Sequence, residues 1–393
     1  MKTNPRTIAL CIAVFLASAF ITYTLKIGHH SATSGHWLPA VRHTRAHNQY
    51  IVSTPKVAYA TFLAANTHPE GEEDVPDDQD GNFLSTRVLA YQLLHSRTAG
   101  TNLSIAFLVL CTRDVSKRKR DRLKKDGATV VLVERLNTDG VVAAADRQRD
   151  VLTKLRLFQL VQYAKILFVD ANTLVKKPLD SVFHDEGTLT QATGMNPEKI
   201  QQDEGVLPRT YMFATHGDLQ GYDHSYLQDP NLDYSNCGFF VFTPSKVLFD
   251  YYLSLLKLPG RFDTGFPEQI LLNYAHRRDG NMPWKPLWYG WNVNWPTERD
   301  WRGGAHSFHA KYWDGDPSHD PVLMAIWNRR RRRWKVTTEG EKRQRDSRSP
   351  YDSVAAALDS QTSKTPSSRV LSWVHPRKLP TYVVPNLPRV AQR

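Results

Sequence analysis

The sequence predicts an α/β fold: a mostly parallel, mixed sheet flanked by helices and preceded by an apolar N-terminal segment. Two observations carry the sheet. Short apolar runs such as Ile105–Cys111 and Lys165–Val169 alternate with helix-patterned stretches such as Leu84–Ser96. That alternation is the rhythm of a doubly wound sheet. The runs are also short and apolar throughout, as strands buried on both faces are. A third observation sets the scale. The 393 residues, 41% of them hydrophobic, supply core for one large α/β domain plus extras, or for two domains.

Thr7–Leu25 is a run of 19 mostly apolar residues without charge, preceded by Lys2 and Arg6. That is long enough to span a bilayer, and the basic flank keeps the N-terminus cytosolic. The competing reading is a cleaved signal peptide, because Ala17-Ser18-Ala19 fits an A-x-A site. Phe20–Tyr23 prolongs the apolar run past that site and favours the anchor. The expected organisation is a cytosolic tail over 1–6, a transmembrane anchor over 7–25, a stem over 26–52, a folded domain over 53–325 and a basic, largely disordered tail over 326–393. The stem holds His29, His30, His36, His43 and His47, read as a solvated linker rather than a metal site.

Within the domain, Val57–Ala65 reads as a strand. Glu70–Asp80 is an acidic run, read as a solvated loop. Leu84–Ser96 is an amphipathic helix, and Ser116–Asp126 a basic helix ended by Gly127. Thr129–Val133 is a strand. Thr153–Tyr163 is read as a helix with Leu155, Phe158, Leu160 and Val161 near one face. Lys165–Val169 is a buried strand that stops at Asp170. Ligands of open α/β sheets bind beyond the carboxyl ends of strands, so Asp170 stands where a metal or phosphate ligand is expected. Phe239–Phe242 reads as core strand, and Pro267–His276 as a helix opened by Glu268-Gln269. Cys111 and Cys237 are read as two small buried thiols, since spacing alone cannot pair them. Asn102-Leu103-Ser104 is a glycosylation sequon on the expected surface. A net charge of +12 points to anionic partners: nucleotide diphosphates, membrane headgroups or nucleic acid.

The stretch Val151–Leu179, VLTKLRLFQLVQYAKILFVDANTLVKKPL, resembles the donor-site segment of family 8 glycosyltransferases, the glycogenin-like retaining enzymes of the GT-A fold. Their pattern runs LTKL, then QY-K, then F-DAD-LV. Here the DxD triplet is Asp170-Ala171-Asn172, with an amide in place of the second carboxylate. Asn236-Cys237-Gly238-Phe239-Phe240-Val241-Phe242 resembles the family's NSGVFVF segment. His309-Ala310-Lys311-Tyr312-Trp313 gives H-x-K-x-W, an ending similar to that of fungal-type, Golgi-anchored N-acetylglucosaminyltransferases. The resemblance spans roughly Lys56–Trp313.

It implies a GT-A domain in which Asp170, Asn172 and His309 hold Mn²⁺ (or Mg²⁺), with His306 as the alternative histidine. Lys311 would neutralise diphosphate oxygens, and Lys154 would face the donor phosphates and sugar. Asn236 would hydrogen-bond sugar hydroxyls where Gly238 lets the backbone approach. Glu268 and Gln269 would lie near the anomeric carbon, where the carboxylate stabilises positive charge or acts as a transient nucleophile. On local grounds Glu268 is equally a first-turn acid favoured by the helix dipole. Thr61 and Phe83 would sit by the nucleoside, with Arg87 helping on phosphate; helix-start packing is the other reading of Phe83. Five of the ten tryptophans fall within Trp284–Trp301, a candidate acceptor platform and equally a packed core.

The implied protein is a single-pass type II Golgi membrane protein whose luminal domain moves a sugar from a UDP-sugar to a glycan hydroxyl. GlcNAc is the first donor sugar expected, then glucose or galactose. A relative that binds sugar nucleotide without turning it over is the second reading. Phosphate or nucleic-acid binding through Arg329–Arg333 is the third, and a luminal tail argues against it.

Overall fold

The computed structural model describes residues 56–64, 76–77, 79–136, 150–218, 221–226, 232–258, 260–261, 267–339 and 350–361. The expected cytosolic tail, anchor and stem, and the last part of the chain beyond 361, lie outside them. Among the described residues no helix is long and apolar enough to cross a membrane.

The strands, in chain order, are β1 (Val57–Leu63), β2 (Ala106–Thr112), β3 (Thr129–Val133), β4 (Lys165–Val169), β5 (Thr173–Val175) and β6 (Gln191–Ala192). There follow β7 (Thr210–Tyr211), β8 (Phe213–Gly217), β9 (Ser235–Phe242), β10 (Lys285–Pro286), β11 (Val293–Asn294) and β12 (Ser307–His309). The helices are α1 (Gly81–Leu94), α2 (Lys117–Lys125), α3 (Lys246–Leu256), α4 (Pro267–Ala275), α5 (Glu298–Gly303), α6 (Pro321–Glu339) and α7 (Asp352–Gln361). Seven strands make the main sheet in the order β10-β8-β9-β4-β1-β2-β3, and a small sheet joins β11-β12-β5. In the main sheet only β9 runs against its neighbours. The expected mixed, mostly parallel sheet is present.

Strand alternation fills both faces of that sheet. Ala58, Ala60, Leu108, Ile166, Phe168, Phe240 and Phe242 pack on one face with Phe249, Tyr252, Leu255 and Leu271 of α3 and α4. Tyr59, Phe107, Val109, Leu167, Val169, Phe239 and Val241 pack on the other with Leu89 and Leu93 of α1. The run FFVF therefore serves two cores at once, which is why it has no polar position.

Three sequence readings need correction. The stretch Leu152–Gln159 is a 3-10 helix, not an α-helix running to Tyr163. Leu152, Leu155 and Phe158 are all buried at a spacing of three, which matches three residues per turn, while Val161 is exposed. Asp80, the last acid of the acidic run, is buried rather than solvated. It caps α1 by accepting from the Phe83 backbone N–H at 3.0 Å and pairs with Lys119 at 2.7 Å.

The third concerns residues 326–393, read as a largely disordered basic tail. Within the described part, 326–339 continue α6 and 352–361 form α7. Leu323, Ile326, Trp327 and Trp334 pack with Leu84, Val88, Leu174 and Phe308 in a third core. Arg330 and Arg333 donate to the buried Asp359 at 3.1 and 2.9 Å, with Arg329 at 3.5 Å, and Arg332 pairs with Asp352 at 3.2 Å. Most of the five-arginine run is thus engaged within the fold, which leaves little of it for phosphate.

Candidate functional site

The site lies beyond the carboxyl end of β4. Asp170 follows that strand, and its backbone N–H donates to the Gly238 carbonyl at 2.8 Å, tying it to β9. His309 ends β12, which pairs antiparallel with β5 so that His309 stands opposite Thr173. This register brings His309 Nε2 to 3.7 Å from Asp170 Oδ2. Burial holds the His309 imidazole below the ordinary histidine range, although Asp170 and Asp218 pull the other way. A neutral imidazole is the form that ligates metals. Its Nδ1 is buried without a hydrogen-bond partner.

Gly238 runs beneath this pair. A Cβ there would sit 2.3 Å from His309 Cε1 and 2.9 Å from Asp170 Oδ2, so a side chain would fill the space between them. His306, the alternative, turns away: its Nδ1 bonds the Pro178 carbonyl at 3.0 Å and its ring packs on Trp291. The donors at hand are a carboxylate, a neutral imidazole and, on the cleft wall, the Asn172 amide. This set fits a hard divalent cation that completes its shell with phosphate and water oxygens. Among the described residues, no three of His, Cys, Asp or Glu stand together as a closed metal cage.

A second pair adjoins the first. Lys154, from the 3-10 segment, places Nζ 3.1 Å from Glu268 Oε2 and 3.9 Å from Asp170 Oδ1. Its ammonium lies 4.5 Å from the centre of the Phe168 ring. Lys154 and Glu268 are each 5% exposed. Burial alone would lower the Lys154 pKa, but Glu268 and Asp170 together outweigh it and hold the ammonium above the usual lysine range. Burial pushes the Glu268 carboxyl up to about 7 against the pull of Lys154. Glu268 Oε1 has no hydrogen-bond partner. A carboxyl raised this far from its ordinary range is the kind of perturbation that clusters at functional sites.

Sequence reasoning missed the hub of the site, Asp218. Three amides converge on it: Asn236 at 3.3 Å, Asn294 at 3.2 Å and Gln269 at 3.0 Å. Asn236 also accepts from the Gly238 N–H at 2.8 Å, and Gln269 from the Cys237 N–H at 3.3 Å. A positional signal was present, since Asp218 follows the buried strand β8 as Asp170 follows β4. Asp218, Asn236, Asn172, His309 and Lys311 share one cleft of about 470 Å³.

No protein-family model matches the chain. It is similar to two uncharacterized proteins of Schizosaccharomyces pombe. One is 27% identical over 297 residues, covering 68% of this chain and 77% of that protein. The other is 27% identical over 302 residues, covering 68% and 76%. Among solved structures it is similar to an active-site mutant of LgtC, at 13% identity and a TM-score of 0.40, covering 79% of this chain and 98% of that one. Mouse xyloside xylosyltransferase 1 matches at 11% identity and a TM-score of 0.39, covering 65% and 97%.

The structure does not bring every expected residue to the cleft. Phe83 is fully buried between the Arg87 guanidinium and the Lys119 ammonium, which stand 5.6 and 5.5 Å from its ring centre, so it has no free face for a base. Arg87 is buried too. It bonds Asp126 through Nε at 2.5 Å and Nη2 at 3.0 Å and stacks 4.2 Å from the Trp334 ring centre. Both residues hold α1 in place rather than a phosphate. Thr61 is fully buried in β1 and does not line the cleft. The tryptophan-rich segment divides: Trp284, Trp291 and Trp301 are buried, while Trp288 and Trp295 reach the surface. Cys111 and Cys237 are buried free thiols, as expected.

Proposed function

We propose that this chain is a GT-A glycosyltransferase that transfers a sugar from a UDP-sugar to a hydroxyl of a glycan, with retention of anomeric configuration. One observation carries the reading: the buried Lys154–Glu268 pair abuts the Asp170–His309 pair at the carboxyl edge of the sheet. Asp170, neutral His309 and the Asn172 carbonyl would hold Mn²⁺ or Mg²⁺, and Lys311 adds a point charge at the rim. A cation bound there supplies neutralisation of the diphosphate as its bond to the sugar breaks. Glu268, as carboxylate, faces the positive charge that develops at the anomeric carbon, and Lys154 holds it in place and favours its ionised form against burial. Asp218 and its amide ring offer acceptors and donors for sugar hydroxyls. GlcNAc is the first donor sugar proposed, then glucose or galactose. The proposed location is the Golgi lumen behind a type II anchor at Thr7–Leu25, or secretion after cleavage near Ala19.

A second reading follows from Asn172, which brings no charge where the resembling family has a carboxylate: the site binds sugar nucleotide without turnover. The full-length chain separates the two. UDP is titrated by calorimetry with and without Mn²⁺, and UDP release is measured from UDP-GlcNAc, UDP-glucose and UDP-galactose. Metal-enhanced UDP binding with release from one donor is expected. Binding without release from any of them favours the second reading, and no UDP binding overturns both.

A further inference from the structure

We propose that Trp295 and Tyr222 form the subsite that receives the acceptor, and that the acceptor presents an uncharged pyranose ring there. This rests on the sugar-transfer reading above. Both residues line the same cleft as Asp218, Asn236, His309 and Lys311. Trp295 is 45% exposed and Tyr222 40%, so both rings offer surface to a ligand in the cleft. Their rings meet nearly at right angles, 86°, with centroids 5.5 Å apart. The two form a corner in the cleft wall, with nearly half of the Trp295 surface exposed. The C–H face of a pyranose is apolar and packs flat on such a surface, while its hydroxyls reach past it to polar neighbours.

The corner is held in place. Trp295 has φ +54°, in the left-handed region that a bulky residue rarely occupies. Such a conformation persists only where the surroundings impose it. Here Asn294 is clamped from two directions: the Tyr289 hydroxyl donates to its carbonyl at 3.0 Å and accepts from its N–H at 3.1 Å, and its side chain is bound to Asp218 at 3.2 Å. Tyr222 is fixed through its hydroxyl, which donates to the Ser318 carbonyl at 2.5 Å. The nearby tryptophans show the contrast. Trp291 and Trp301 are buried in cores, and Trp288 stacks on Tyr226 at 6.1 Å. Core packing thus accounts for Trp291 and Trp301, Trp288 has its stacking partner away from the cleft, and of these four only Trp295 lines the cleft.

Charge selects the ring. Asp218, Asp316 and Asp320 line the cleft beside Lys311. Asp316 and Asp320 each accept backbone N–H groups at 2.8 to 3.0 Å, and those from Ser318 hold the Asp316 carboxyl below the usual carboxylate range. A uronate or sialate ring stacked on Trp295 would meet these carboxylates with like charge.

The test uses the full-length chain with UDP and Mn²⁺ present. Saturation-transfer NMR measures binding of methyl β-glucopyranoside, methyl α-mannopyranoside and methyl β-glucuronide. The variants are Trp295→Gly, which suits the positive φ and so preserves the fold, Trp295→Phe, which keeps a flat ring, and Tyr222→Ala. A neutral glycoside should bind the wild type about tenfold more tightly than Trp295→Gly or Tyr222→Ala, with most of the affinity retained in Trp295→Phe. Equal binding by Trp295→Gly, tighter binding of the glucuronide, or binding of UDP with no glycoside at all overturns the subsite alone. A chain that binds no UDP overturns the sugar-transfer reading and the acceptor assignment with it.

Discussion

Lys154 and Glu268 meet at 3.1 Å in a deeply buried corner, yet Glu268 keeps one carboxylate oxygen without a hydrogen-bond partner. One oxygen is spent on orientation and the other is left for a ligand. Glu268→Gln keeps the shape and removes the charge. The catalytic rate of sugar transfer should fall about a hundredfold or more, while UDP affinity stays near the wild-type value. An affinity loss at unchanged turnover would make Glu268 a donor-binding residue instead.

The same group sets a pH dependence. Its folded pKa of about 7 lies above the ordinary carboxylate value, so the working carboxylate accumulates as pH rises through about 7. Turnover should be about tenfold lower at pH 6 than at pH 8. In Glu268→Gln, whatever activity remains should lose this limb; a limb that survives in that variant belongs to another group.

Asp170→Ala removes the single carboxylate of the Asp170–His309 pair and should abolish metal-stimulated turnover. Turnover in Mn²⁺ that matches the wild type, with unchanged loss to chelator, would place the cation elsewhere.

Asn172→Asp should tighten Mn²⁺ binding in the presence of UDP. An amide oxygen can ligate a hard cation but contributes no charge, and a tenfold gain corresponds to about 1.4 kcal/mol, a modest demand on one added charge. Affinity is the readout, because a tighter ion also slows release of UDP. Unchanged affinity would show that residue 172 does not face the metal.

Asp359→Ala should destabilise the fold by about 3–5 kcal/mol, because it strands the buried Arg330 without its carboxylate. Thermal unfolding of the full-length chain measures this. A melting temperature unchanged from wild type would mean that α7 is not part of the cooperative unit.

The parts of the site that were legible in the sequence are those with local signals. Asp170 follows a short apolar strand and was legible from that alone, whereas Asn236, Glu268 and His309 were reached through the family resemblance of their segments. The misplaced residues depend on distant partners. Nothing near Arg87 announces that its guanidinium faces Asp126 and Trp334. The five arginines look like free charge because their shared carboxylate, Asp359, lies 29 residues beyond Arg330. Asp218 escaped notice because Thr215 and His216 interrupt the apolar run of its strand and its partners come from three separate segments.

Among the described residues, the edge of β5 away from β12 has no strand beside it. Side chains from α1 and α6 take that role. Gln92 donates to the Thr173 carbonyl at 3.1 Å and accepts from the Val175 N–H at 2.9 Å, and Arg330 donates to the Val175 carbonyl. His309 is thus positioned from the far end of the chain: the helix that follows it braces the strand that seats it. A protein shortened to residue 325 would retain every residue of the candidate site but not Arg330. The expected cost is imprecision, a wandering imidazole and a weakened hold on metal, before any loss of the main sheet. The useful C-terminal limit for a recombinant form therefore lies after Gln361.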